Sequence, residues 1–92
     1  MLDSIKERLG LDAATTVYDS ELESLIQAAQ ADMKASGVPA DMVDAEEPDG
    51  RILLCVTAYV KGYYGDDRQN TSRYTQIYRE QVFRLCQEEG GS

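Results

Sequence analysis

The stretch Arg51-Ile-Leu-Leu-Cys-Val-Thr-Ala-Tyr-Val-Lys-Gly-Tyr-Tyr-Gly65 decides the fold. No charge falls between Ile52 and Val60, and Thr57 is the only polar side chain there. Ile52, Leu53, Val56, Tyr59, Val60 and Tyr63 follow the i, i+3, i+4, i+7 spacing of a helix. Leu54, Cys55 and Ala58 extend the apolar surface around the cylinder, so neighbouring helices are expected to bury it. The run is well short of the ~20 residues that cross a bilayer. It reads as a core helix, and no membrane partner is expected.

The flanking segments supply amphipathic partners for that helix. Leu2, Ile5 and Leu9 line one side of a short opening helix, with Gly10 as its stop. Leu11 to Tyr18 is a connector with Leu11 and Val17 as apolar anchors. Asp19 or Ser20 caps a second helix, and Ser20 with Glu23 has capping-box spacing. Leu22, Leu25, Ile26, Ala29 and Met33 form its stripe. Lys34 lies in the last turn and Gly37 ends it.

From Val38 to Gly50 there is room for a short turn of helix at 39–46, with Met42 and Val43 covering one end of the core. Asp49 is placed to cap the central helix, 51–64. Gly65 to Asn70 reads as a polar loop. Thr71 or Ser72 then caps a last helix whose stripe is Tyr74, Ile77, Tyr78, Val82 and Leu85, widened by Phe83 and Cys86. Sustained period-two alternation is missing, so strands are not expected. The expected fold is all-α: a small bundle of about four main helices around a buried central one. Residues 1–87 read as a single helical domain, and 88–92 as a tail that frays.

Within 92 residues, burial on folding is limited, and association would add to it. The opening residues lack the basic start and apolar core of a leader peptide. Cys55 and Cys86 read as two buried thiols in a reducing compartment, with a disulfide or metal pair as the alternative.

The chain has no histidine, the commonest general base and zinc ligand. Two cysteines 31 positions apart do not make a zinc spacing. Gly62 and Gly65 are not followed by the Gly-Lys-Ser/Thr of a phosphate loop. Asp66 and Asp67 lack the calcium-loop pattern around them and read as solvated charge. Catalysis, a cofactor and a resident metal are therefore not expected.

Net charge is −8, which disfavours a general nucleic-acid binder. Residues 1–50 hold 12 acids and 3 bases, a net of −9, whereas residues 51–92 hold 5 acids and 6 bases, a net of +1. This split serves solubility, or it lets an acidic face of one copy meet a basic face of the next. The candidate contact residues are Glu21, Glu23 and Asp32 on the acidic helix, and Arg68, Arg73 and Arg84 in the basic half. Arg73 and Arg84 share a helix face, with Glu80 between them. Tyr63 and Tyr64 join the set, because the tyrosines either pack at the core and rim or anchor a partner chain.

The order of the pieces resembles the head-tail connector proteins of tailed bacteriophages and prophages. The resemblance is carried by Ile5-Lys-Glu-Arg-Leu-Gly-Leu11, by Asp19-Ser-Glu-Leu-Glu-Ser-Leu-Ile-Gln-Ala-Ala29, and by the apolar helix ending Ala58-Tyr-Val-Lys-Gly-Tyr-Tyr64. It covers roughly residues 1–68. The chain departs from the pattern in having no Trp, in Gly62 and Gly65, and in a last helix rich in Tyr and Arg. The resemblance implies an all-helical structural subunit in a ring of about a dozen copies in the virion neck, assembled in the host bacterial cytoplasm. It further implies docking on a portal protein, a platform for a neck or tail completion protein, and a channel through which DNA passes without specific binding. An alternative for so acidic a chain is a small DNA-mimic inhibitor of a nucleic-acid-binding protein.

Overall fold

The computed structural model describes residues 1–12, 14–63 and 68–89, with backbone alone for 68–71. The described residues form five helices and no strand: α1 (Leu2–Arg8), α2 (Asp19–Ser36), α3 (Ala40–Val43), α4 (Gly50–Tyr63) and α5 (Arg68–Glu88). α4 is the predicted core helix. It packs most extensively against α5, then against α2, then against α1. Ile52, Cys55, Val56, Thr57, Ala58, Val60 and Gly62 are all buried. The Thr57 hydroxyl donates to the Leu53 carbonyl at 2.6 Å, which satisfies the one polar side chain of the apolar run. Leu54 and Tyr63 are exceptions to the expected burial, at 41% and 55% exposure.

Local chemistry sets several helix ends. Asp49 caps α4 as expected: its Oδ1 accepts the Arg51 N–H at 2.8 Å, and its carbonyl accepts from Ile52 and Leu53. Gly37 ends α2 at φ +116, a conformation that disfavours a side chain. The next residue, Val38, donates its N–H to the Met33 carbonyl and is buried. Pro39 precedes α3, which falls inside the expected 39–46 stretch. Lys34 in the last turn of α2 reaches both carboxylate oxygens of Asp44, at 3.0 and 3.2 Å.

Two expected starts are displaced. α2 begins at Asp19 without a side-chain cap, so Ser20 and Glu23 do not form a capping box. The Asp19 carboxylate faces the ammonium of Lys6 instead, 2.9 Å away, so a tertiary ion pair prevails over local capping. α5 begins at Arg68, which places Thr71 and Ser72 inside the helix rather than at its cap. No breaker lies between Arg68 and Ser72, and the helix runs back through them. The part of the expected Gly65–Asn70 loop at 65–67 lies outside the described residues.

The core gathers Ile5 from α1, Leu22, Ile26, Ala29 and Met33 from α2, Val38, Val43, the α4 residues, and Tyr78, Val82 and Leu85 from α5. Leu11 packs against it, but Val17 does not anchor the connector, being 81% exposed. Phe83 does not widen the core either, at 63% exposure. It sits about 130° around α5 from the centre of the Tyr78, Val82 and Leu85 stripe, too far to reach the core. Cys55 is buried and Cys86 half-buried, and both are free thiols. Cys86 donates weakly to the Ser36 carbonyl at 3.1 Å, tying α5 to the end of α2.

α4 and α5 run antiparallel. Tyr59 meets Tyr78 edge-on with ring centres 5.1 Å apart, and Gly62 lies opposite Thr75. At the other end, Arg51 holds Glu88 at 3.0 Å and Glu89 at 3.1 Å while also pairing with Asp49.

Candidate assembly surface

Lys6 is the buried charge among the described residues, 2% exposed. Besides its pair with Asp19, its ammonium donates to the Thr15 carbonyl at 2.5 Å. One cation thus fastens α1 to both ends of the Thr15–Asp19 connector. A desolvated ammonium is tolerable only with such partners. Main-chain turns tighten the same loop: Thr15 N–H bonds the Asp12 carbonyl and Asp19 N–H bonds the Thr16 carbonyl. The loop is held firmly, and it presents Val17 outward.

A second surface lies between the C-terminal half of α2 and α5. Asp32, Ser36, Tyr78, Arg79, Val82, Phe83 and Cys86 line an open groove of about 500 Å³. The Tyr78 hydroxyl donates to Asp32 Oδ2 at its rim. Burial and that carboxylate push the Tyr78 phenol well above its usual range. Tyr59 is raised as well, by burial and then by the neighbouring Tyr63.

The sequence-predicted contact residues do not form one patch. Glu21 and Glu23 are exposed on the first turns of α2, but two positions apart on a helix they point about 200° away from each other. Asp32 is exposed, yet its carboxylate already accepts the Tyr78 hydroxyl. Tyr63 is 55% exposed at the end of α4, its ring 4.6 Å from that of Tyr59. Arg73 and Arg84 are exposed on α5, and eleven residues bring them back to within about 20° of one face. Tyr64 and the side chain of Arg68 lie outside the described residues.

Four features were missed by sequence reasoning: the buried Lys6, the Arg51 clasp, and the exposure of Val17 and Phe83. Only Phe83 left a usable signal, its angle on the helical wheel.

The described residues contain no group of three or more Cys, Asp or Glu placed to hold a metal ion. None of their helices is long and apolar enough to cross a membrane. What the surface does offer is contact area: exposed Val17, Tyr18, Leu54, Tyr63 and Phe83, distributed among charges of both signs. Single apolar groups of this kind are ordinary on a protein surface, and only a contiguous patch would by itself mark a contact.

No curated protein and no solved structure matches the chain. A family model described as phage connector protein matches residues 1–92. Matched along its whole length, the chain belongs to the phage connector protein family.

Proposed function

We propose that this chain is the repeating subunit of a connector ring that docks on the portal of a filled phage head and joins it to the neck and tail. The observation that carries this reading is the full-length family match. The role is structural rather than catalytic, with residues 1–87 acting as one unit in the virion neck. Ring partners are further copies of the chain, the portal protein on one side and a neck or tail completion protein on the other. DNA passes through the channel, where acidic side chains such as those of the −9 half repel phosphate and let it slide.

A ring requires a heterologous contact, one patch meeting a different patch. Glu21 and Asp32, eleven residues apart and on one side of α2, are the acidic candidates for that contact, and Glu23, about 200° from Glu21, would face a different neighbour. Arg68, Arg73 and Arg84 are the basic candidates, and Tyr63 and Tyr64 the aromatic ones.

Co-expression with the portal protein of the same phage, followed by electron microscopy and sedimentation, tests the reading. Rings of this chain stacked on the portal are expected. Joint reversal Arg73→Glu and Arg84→Glu should lower their yield. A chain that stays monomeric and never joins the portal would overturn the assignment; capture of a basic nucleic-acid-binding protein instead would favour the DNA-mimic alternative.

A further inference from the structure

Two helix faces of this chain carry the same spacing with opposite end charges. On α2, Glu21, Leu25, Ala28 and Asp32 stand at i, i+4, i+7 and i+11 and share one side of the helix. On α5, Arg73, Ile77, Glu80 and Arg84 repeat those intervals. Exposure repeats as well. The second residue of each set, Leu25 or Ile77, is half-buried, and the other three are exposed. In both sets the end charges lie about 16 Å apart along the axis. Glu21, Arg73 and Arg84 make no ion pair with any described residue. Asp32 commits only its Oδ2, to the Tyr78 hydroxyl.

The two faces cannot meet within one molecule. α5 packs on α2 through Tyr78 and Cys86, and Arg84 is two positions and about 200° around the helix from Cys86. A second copy can bring them together. Within the chain α2 and α5 run the same way: Asp32 meets Tyr78, and Ser36, further along α2, meets Cys86, further along α5. In a ring of about a dozen copies, each is turned by about 30° from the next. The neighbour's α5 therefore keeps the direction of α5 in the first copy to within about 30°. A parallel alignment then sets Glu21 against Arg73, Leu25 against Ile77, Ala28 against Glu80 and Asp32 against Arg84. Both ends pair a carboxylate with a guanidinium, whose planar fork can grip it with two hydrogen bonds. Leu25 and Ile77 add an apolar pair between them. The small Ala28 side chain leaves Glu80 in water, together with the Gln76 amide that it accepts at 3.3 Å. An antiparallel alignment would set Glu80 against Leu25, a charge against an apolar side chain.

We propose that the Glu21–Asp32 side of α2 in one copy lies parallel against the Arg73–Arg84 side of α5 in the next. This rests on the ring reading and specifies its subunit contact. Because the two sides are different patches of one chain, the contact is heterologous and propagates from copy to copy.

Charge reversal in separate preparations, followed by mixing, tests it. Glu21→Arg and Arg73→Glu change exposed residues without an ion pair among the described residues, so helix content and melting temperature should be unchanged. Each variant alone, added to the portal protein, should give about tenfold fewer rings than the native chain, because every contact then opposes like charges. An equimolar mixture of the two should restore the yield, since each reversed face finds its opposite on the other variant. Glu21→Arg mixed with Arg84→Glu should not restore it. Native yields from both single variants would overturn the contact and leave the ring standing. Reduced yields with no rescue by Arg73→Glu would overturn it as well. Rescue by Arg84→Glu in place of Arg73→Glu would overturn the parallel register. A native chain that forms no ring on the portal would overturn the ring reading, and this contact with it.

Discussion

Tyr78 and Asp32 are joined across 46 positions by a hydrogen bond of 2.5 Å from phenol to carboxylate. The phenol is almost fully buried, whereas Asp32 stands at the surface. The bond lets a tyrosine complete the interior and still satisfy its polar tip. It also fixes the wall of the groove between α2 and α5.

Tyr78→Phe keeps the ring and removes the bond. A hydrogen bond to a charged partner contributes about 1.5–3 kcal/mol, and the exposed side of Asp32 puts this one at the low end. Urea unfolding should show a loss of about 1–2 kcal/mol at neutral pH with unchanged helix content. Asp32→Asn should cost less, because the amide oxygen still accepts.

Alkaline pH should destabilise the fold in a defined window. Burial, with Cys86 nearby, pushes the Cys55 thiol up to about 11. A cysteine in the unfolded chain ionises near about 8.5. Between these values the unfolded state sheds a proton that the folded state keeps, so stability falls as pH rises. The fall begins near pH 8.5, levels near pH 11, and amounts to about 3 kcal/mol. The raised Tyr78 phenol adds a further decline above its ordinary range. Denaturation curves across this range for Cys55→Ala should lack the first segment.

Lys6→Met should be the costliest single change near the N-terminus. It strands the buried side of Asp19 and the Thr15 carbonyl, for which about 3 kcal/mol is expected because Asp19 is partly solvated. The melting temperature should drop by several degrees or more. Adding Asp19→Asn should recover part of the loss, because no unpaired charge then remains.

Gly62 sets how closely α4 approaches α5. A Cβ there would meet Thr75 Oγ1 at 3.3 Å and its backbone nitrogen at 3.6 Å. Gly62→Ala should be nearly neutral, the gain in helix propensity offsetting that tight contact. Gly62→Leu should destabilise by about 1–3 kcal/mol through overpacking, read by thermal unfolding.

Much of this architecture was legible in the chain itself, for identifiable reasons. The uncharged Ile52–Val60 run could only be an interior helix, and Gly37 and Asp49 carry out local chemistry that operates wherever the chain places them. The start of α2 was misread because a capping box is a local preference, and Asp19 was claimed by a lysine 13 positions away. Val17 and Phe83 were misassigned for a different reason. Apolarity says that a side chain gains from burial, not that its own subunit supplies it. The candidate contact residues suffered most. Charge alone grouped Glu21 with Glu23, although helical geometry sends them to different sides.

The enclosure of Lys6 also has a practical consequence. The chain has three lysines, Lys6, Lys34 and Lys61. An amine locked between a carbonyl and a carboxylate beneath the surface is out of reach of acylating reagents, whereas Lys34 is open to them. Modification of Lys6, followed by mass spectrometry, would therefore register each excursion in which the opening helix lifts away.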